Sequence, residues 1–256
     1  MRFLVSLIAI FGVYACSEQQ QQQQSETPAI PNESTEVADN FPSALQSVFD
    51  SHGGVEQWRK MHSLSFELVG EESNEKHQIQ LKDRRDRVEG ANFTMGFDGM
   101  KVWMDADTSY QGNPEFYHNL MFYFYAMPFV LADDGINYSE ATPLEMDGVS
   151  YPAIRISYED GVGASSKDEY ILYYEPETFQ MAWLGYTVTY FSDEPSDDLH
   201  WIKYSDWQQV NGLLLPKDLT WYQYENGLPT EPRSTREFIE VEISENPLPD
   251  DLFMDS

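Results

Sequence analysis

The stretch WIKYSDWQQVNGLLLPKDLTWYQY, residues 201–224, decides the fold class of this sequence. Two runs rich in aromatic and aliphatic residues, 201–210 and 213–224, flank the dipeptide Asn211-Gly212. Asn-Gly between two such runs is the strongest short-range signal for a two-residue β-hairpin turn, because both residues tolerate a positive φ. The stretch therefore predicts two neighbouring antiparallel strands.

The same pattern extends along the chain on both sides of this hairpin, with turn dipeptides such as Asp98-Gly99, Asp147-Gly148 and Asn226-Gly227 between the runs. The further candidate strands are residues 64–68, 79–81, 93–97, 102–104, 137–146, 149–158, 169–174, 181–191 and 237–243. About eleven strands in hairpin order form a sheet too wide to stay flat and open. The sequence predicts a mainly β (α+β) fold, in which a large curled antiparallel sheet forms a half-open barrel.

Two short helices are expected before the first strand. Leu45, Val48, Phe49 and His52 have the spacing of one apolar helix face, and Gly53-Gly54 then ends that helix. Residues 55–61 repeat the pattern in a second helix. His52 is interpreted as a helix-end residue, with a position at the edge of a cavity as the alternative.

The strand pattern is interrupted by residues 114–131, PEFYHNLMFYFYAMPFVL. If this run forms a helix, apolar residues lie on nearly all of its sides. Such a helix must pack against other parts of the protein on both sides. The run predicts an aromatic helix over the mouth of the barrel, either as core or as the wall of an apolar ligand cavity. The candidate ligand-binding residues are Phe116, Tyr123, Phe124 and Met127 on this helix, with Phe97, Trp183 and Tyr222 on the strands below.

The beginning of the chain has the layout of a secretory signal. A basic start is followed by an apolar run too short to span a bilayer, and Val13-Tyr14-Ala15-Cys16 resembles a bacterial lipobox. We expect a signal peptide at 1–15, a lipidated Cys16 with a disordered Gln-rich tether at 16–40, and a folded domain at 41–256. Lipidation at Cys16 would make the membrane a partner. By resemblance to lipoprotein sorting rules, Ser17 favours the outer membrane, and the periplasmic or surface face stays open.

The charge and the reactive residues narrow the function. A formal net charge of −29 argues against nucleic-acid binding. The five histidines show no metal-ligand spacing, Cys16 is the only cysteine, and no nucleophile-elbow motif occurs. We therefore expect no catalytic residue, no metal and no cofactor, in a protein that is a monomer.

Four motifs resemble the LolA/LolB-like family of outer-membrane lipoprotein carriers, including an uncharacterised Bacteroidota lipoprotein subfamily. They are HGG at 52–54 with Trp58, FDG at 97–99 with Trp103, VNGLLLP at 210–216 and NPLPDDLF at 246–253. The resemblance implies a half-open barrel with helices over its apolar mouth, which binds acyl chains or other apolar groups without chemistry. Two alternatives remain open: a surface or periplasmic hydrolase or glycan-processing lipoprotein, and a ligand-free structural or partner-binding domain.

Overall fold

A computed structural model describes residues 41–159, 161–162, 167–192 and 194–255. The expected signal peptide, Cys16 and the tether lie outside the described residues. No helix in the described part of the chain is long and apolar enough to cross a membrane.

The described residues form one antiparallel sheet, as the sequence predicts. Its strands are β1 Ser63–Leu68, β2 Glu75–Gln80, β3 Asp86–Glu89, β4 Phe93–Phe97, β5 Val102–Ala106, β6 Ile136–Met146, β7 Val149–Tyr158, β8 Tyr170–Tyr174, β9 Met181–Tyr186, β10 His200–Val210, β11 Leu213–Glu225 and β12 Leu228–Ser244. Their order across the sheet is β5-β4-β3-β2-β1-β12-β11-β10-β9-β8-β7-β6. The sheet is curled and unclosed, so the predicted mainly β, half-open architecture is confirmed.

The strand order explains why the barrel mouth is covered. The chain forms one meander from β1 to β5 and a second from β6 to β12, and the pairing of β1 with β12 joins them. Strands β5 and β6 therefore lie at the two opposite edges of the sheet. The connection between them, residues 107–135, has to pass from one edge to the other.

The hairpin at residues 211–212 forms as predicted. Val210 pairs with Leu213, and Trp201 pairs with Tyr222 at the other end of the two strands. Asn211 and Gly212 have φ of 48° and 82°, the positive values that this turn requires. The segment between the two N-terminal helices packs closely against this turn. A Cβ added at Gly53 would lie 2.3 Å from the carbonyl oxygen of Gly212, so only glycine fits there.

Both N-terminal helices are present, as α1 Ser43–Ser51 and α2 Val55–Lys60. The aromatic segment 114–131, expected as a helix that Pro128 bends or ends, contains α3 Pro114–Tyr117, α4 Leu120–Tyr125 and a 3-10 helix, Phe129–Ala132. Asn119 leaves helical geometry with φ −114° and ψ 3° and so separates α3 from α4. Pro128, which has no backbone N–H, separates α4 from the 3-10 helix. We call residues 114–132 the lid segment.

Several strands differ from the prediction. β2 begins at Glu75, before the expected 79, and β9 ends at Tyr186, before the expected 191. β3 was not expected as a separate strand, because the charged run at 82–87 has no apolar alternation. β12 begins at Leu228, nine residues before the expected start at 237. Its first half, LPTEPRSTRE, is polar, contains two prolines and is mostly exposed. Hydrophobic periodicity cannot detect a strand that buries few of its side chains.

The sheet packs side chains on both of its faces. The inner face carries the main core, where α1, α2 and the lid segment contact strand residues such as Leu184 and Ile202. The outer face carries a second, smaller cluster around Trp183 and Trp201. These residues are sequence neighbours of Leu184 and Ile202, and successive side chains of a strand point to opposite faces. The lid segment therefore lies over the inner face.

Candidate functional site

A cavity of about 130 Å³ lies between the lid segment and the inner face of the sheet. The lid segment contributes Phe116, Leu120, Tyr123 and Phe124 to its walls, and Tyr158 and Tyr170 come from β7 and β8. An apolar protein cavity of roughly 150 Å³ binds a molecule as large as benzene. The cavity is therefore large enough for a short apolar group.

A second cavity of about 390 Å³ adjoins the first. It adds Tyr186 of β9, Trp221 of β11, and Arg233 and Arg236 of β12 to the lining. The residues that line both cavities are Phe116, Leu120, Phe124, Asp168 and Tyr170. We call the two cavities together the groove. Its combined size is that of a site for a larger ligand, since ligand pockets span about 300–1,000 Å³.

Phe124 is at the centre of the groove and is held on several sides. Its ring lies 5.0 Å from the ring of Tyr186 and 5.8 Å, edge to face, from that of Trp221. The hydroxyl of Tyr204 donates a 2.7 Å hydrogen bond to the Phe124 carbonyl oxygen. Because Tyr204 belongs to β10, this bond fixes α4 to the sheet directly beneath it.

The tyrosines give the groove a polar edge without charge. Burial raises the pKa of Tyr123, Tyr158 and Tyr170 above the ordinary value of 10.0. Their hydroxyls therefore stay protonated at physiological pH and can donate hydrogen bonds. A site of apolar walls with a few such donors is the usual composition of a small-molecule pocket.

Carboxylates occur at one end of the groove, where Glu115, Asp133 and Asp134 line the first cavity. Burial raises the pKa of Asp133, although Arg84 donates to its Oδ2 at 2.5 Å and acts in the opposite direction. Asp168, which lines both cavities, accepts hydrogen bonds from the backbone N–H and the hydroxyl of Thr189. Among the described residues, no histidine lines either cavity.

A buried polar network attaches the start of the lid segment to the sheet. The Nδ1 of His118, just after α3, lies 2.5 Å from Oδ2 of Asp86 on β3. The Tyr117 hydroxyl donates to Oε2 of Glu75 on β2 at 2.6 Å. Burial raises the pKa of Asp86 even though His118 opposes that shift. These contacts are structural, since none of the four residues except Tyr117 lines the groove.

The structure brings together three of the seven predicted ligand-binding residues. Phe116, Tyr123 and Phe124 line the groove. Met127 is 1% exposed and packs in the main core instead. Phe97 lies on β4, its ring 5.9 Å from that of His118, and lines neither cavity.

Trp183 and Tyr222, expected below the lid segment, lie elsewhere. Their rings are 4.7 Å apart in the outer-face cluster, on the other side of the sheet from the groove. The expected strand faces are inverted here, because a shift of one residue moves a strand's side chains to the opposite face. Trp221, the neighbour of Tyr222, lines the groove instead.

Sequence reasoning also missed Tyr158, Tyr170, Arg233 and Arg236. The two tyrosines lie within predicted strands, but the strand pattern gave no reason to prefer them over their neighbours. The two arginines lie in the polar half of β12, which was not predicted as a strand. Only the pairing of β12 with β11 brings them to the groove.

Residues 105–218 match the model of a family described as "Family of unknown function (DUF6503)". The match runs from β5 into β11 and includes the whole lid segment, but it covers less than half of the chain. No curated protein matches the chain.

Several solved structures are similar to this chain. One is a DUF1329 family protein from Desulfovibrio piger ATCC 29098, with 12% identity, a TM-score of 0.49, and coverage of 83% of this chain and 98% of that one. Another is a LolA superfamily protein from Nitrosomonas europaea, with 11% identity, a TM-score of 0.49, and coverage of 82% and 97%. A third is an outer membrane lipoprotein-sorting protein domain from Vibrio parahaemolyticus, described as putative, with 6% identity, a TM-score of 0.39, and coverage of 77% and 93%.

At such identities and TM-scores the likeness carries no argument about function. The groove itself has to supply that argument.

Proposed function

We propose that this chain is a membrane-anchored lipoprotein that binds a lipid acyl chain or another apolar molecule in the groove and carries it without chemistry. The observation that carries the proposal is the groove itself, which lies between an aromatic lid segment and the inner face of the sheet. The lipid anchor would be Cys16, and the location would be the outer membrane.

The driving force for binding would be burial of apolar surface. Each methylene group removed from water contributes about 0.8 kcal/mol. The lid segment would gate the groove, because α3 and α4 have only four and six residues and depend on their packing for stability. Movement of α4 away from Tyr186 and Trp221 would open both cavities together.

The polar groups of the groove favour binding over hydrolysis. Asp133 is paired with Arg84, and Asp168 already accepts two hydrogen bonds from Thr189. The His118–Asp86 pair lies outside the lining of both cavities. The groove therefore offers no histidine-carboxylate pair to a ligand among the described residues.

The test is mass spectrometry of solvent extracts from the unlipidated protein, residues 16–256 with Cys16→Ser, purified from a bacterial host. We expect a lipid or another apolar molecule in stoichiometric amount, or its uptake on later incubation with lipid vesicles. A clean extract with no later uptake would overturn the proposal and favour the ligand-free domain.

The Phe124→Asp variant should lose binding of N-phenyl-1-naphthylamine, a neutral apolar fluorescent probe. The substitution places a carboxylate between two aromatic rings. Loss of the apolar Phe side chain alone weakens binding by about 10- to 100-fold. The measurement is a fluorescence titration. Leu120→Asp, at a half-buried position of the same wall, repeats the test in a variant that perturbs the core less.

Phe191→Asp is the matched control, because Phe191 is 71% exposed. It introduces the same charge near the lid segment, at a residue that does not line the groove. If Phe124→Asp and Leu120→Asp, both still folded by circular dichroism, bind the probe as tightly as Phe191→Asp, the lid segment is not the wall of a binding site.

The Cys16→Ser variant should be released from the membrane fraction of cells that express the full chain. The thioether-linked lipid needs the Cys16 sulfur, and without it the chain lacks the two-chain anchor that stable attachment requires. Metabolic labelling with palmitate followed by fractionation measures both effects. Equal labelling of the variant and the unmodified chain would exclude Cys16 as the anchor.

A further inference from the structure

We propose that the ligand of the groove is a single-chain amphiphile with an anionic headgroup, and that Arg233 and Arg236 bind this headgroup. The inference rests on the proposed function, because it names the class of molecule that the groove would hold. The tail would lie under α4, and the headgroup would lie at the β12 side of the second cavity.

The backbone of β12 places both arginines at the groove. Arg236 pairs with Leu219, an inner-face core residue, so its side chain belongs to the inner face. Arg233 lies at an irregularity of the pairing, where Trp221 pairs with Ser234 but Tyr222 pairs with Pro232. Arg233 is thus the extra residue of a β-bulge, a feature that redirects a side chain. Both arginines line the second cavity.

Positive charge is scarce in this protein, which has 15 Lys and Arg residues against 44 Asp and Glu residues. Most of the described arginines are in ion pairs, as Arg84 is with Asp133 and Arg87 is with Glu89. Within the described part of the chain, neither Arg233 nor Arg236 is in an ion pair, and both are exposed. Two unpaired guanidinium groups at one cavity leave an excess of positive charge there.

Two acidic groups among the described residues, Glu75 on β2 and Asp168, lie near these arginines, and neither forms an ion pair with them. Burial opposes ionisation of Glu75, but interactions with His77 and Tyr117 and the charges of His77 and Arg236 prevail and lower its pKa. Asp168 is occupied by Thr189. Arg233 acts on two tyrosines: its charge favours the ionised forms of Tyr186 and Tyr224, although burial raises the pKa of both.

The charges of the groove are divided between its two ends. Glu115, Asp133 and Asp134 line only the first cavity, Arg233 and Arg236 line only the second, and Asp168 lines both. Between them lie the apolar surfaces of Leu120, Phe124 and Trp221. This arrangement orients an amphiphile with its anionic headgroup toward β12. Guanidinium groups suit this task, because their planar donors match both carboxylate and phosphate oxygens.

The test compares ligands with the same tail and different headgroups by isothermal titration calorimetry on the unlipidated protein. The probes are dodecanoate, dodecyl phosphate and dodecanol, each below its aggregation concentration. We expect one or both anionic probes to bind about tenfold or more tightly than dodecanol. The two anionic probes distinguish a carboxylate from a phosphate headgroup. Added salt should reduce the preference, because both arginines are exposed.

The Arg233→Gln/Arg236→Gln variant should lose this preference and keep its affinity for dodecanol. Arg155→Gln is the control, because Arg155 pairs with Ile171 of the outer-face cluster and therefore lies on the other side of the sheet. Equal binding of all three probes by the unmodified groove, or a preference that survives the double substitution, would overturn the inference and leave the proposed function standing. If none of the probes binds, the proposed function itself fails, and this inference fails with it.

Discussion

Replacement of Phe129 by alanine is expected to lower the free energy of unfolding by about 3–5 kcal/mol. Phe129 is fully buried and stacks on Trp58, with ring centroids 5.0 Å apart and an interplanar angle of 6°. Trp58 belongs to α2 and Phe129 to the last helical turn of the lid segment. The substitution would remove the largest contact between them and leave a cavity that the surrounding core cannot fill.

Equilibrium denaturation by urea measures this loss through the midpoint and the slope of the transition. Phe191→Ala is the matched control, because the same atoms are removed from a side chain that is 71% exposed. We expect the control to change the free energy of unfolding by less than about 0.5 kcal/mol. A similarly small loss for Phe129→Ala would mean that the lid segment is not part of the cooperative core.

The second large effect is a loss of stability on acidification that depends on His52. This side chain caps the end of α1 and is fully buried, in edge-to-face contact with Trp207 at 4.6 Å. Its Nδ1 lies 2.9 Å from the Val48 carbonyl oxygen and therefore carries the proton. Its Nε2 has no hydrogen-bond partner within the described ranges. Protonation would place an unsatisfied charged donor in the core.

Burial accordingly lowers the pKa of His52 to about 4, and the hydrogen bond to Val48 opposes this only in part. The unfolded chain titrates near the ordinary value of 6.5. The folded state thus favours the neutral ring, and its contribution is fully present above pH 6.5 and is lost as the pH falls from 6.5 toward 4. Linkage gives a loss of about 2 kcal/mol between pH 7 and pH 5.

His52→Asn tests this prediction, because its amide can still donate to the Val48 carbonyl oxygen but does not titrate. The measured quantity is the difference between the unfolding free energies at pH 7 and pH 5, so that the many carboxylates contribute equally to both proteins. His62→Asn, at a partly exposed position, is the control. The prediction is wrong if His52→Asn loses as much stability between these pH values as the unmodified protein.

In the proposed opening of the groove, contacts at both ends of the lid segment would hold those ends in place. Phe129 anchors its end to α2, and His118 with Asp86 anchors its beginning to β3. The helix α4 between them is held by Phe124 and by the hydrogen bond from Tyr204. A hinge at each anchor would allow α4 to move without unfolding the core.

The sequence by itself determined the local structure and the fold class. Asn211-Gly212 specified a hairpin, because Asn and Gly both adopt the positive φ of this turn at low steric cost. The spacing of Leu45, Val48 and Phe49 fixed α1 through helical periodicity. The aromatic composition of the lid segment indicated that it must be covered on two sides, and the structure places Phe116, Tyr123 and Phe124 at the groove.

Only the tertiary structure determined which face of each strand lines the groove and which segments, far apart in sequence, meet there. Trp183 and Tyr222 went to the outer face, while their neighbours Leu184 and Trp221 went to the inner face. When a strand is apolar on both faces, its sequence does not indicate which of the two faces points toward the inner side of the sheet. The pairing of β12 with β1 and β11, which carries Arg233 and Arg236 to the lid segment, depends on contacts between residues far apart in sequence. Local sequence propensity does not predict such contacts, because they stabilise the protein only after the sheet has formed.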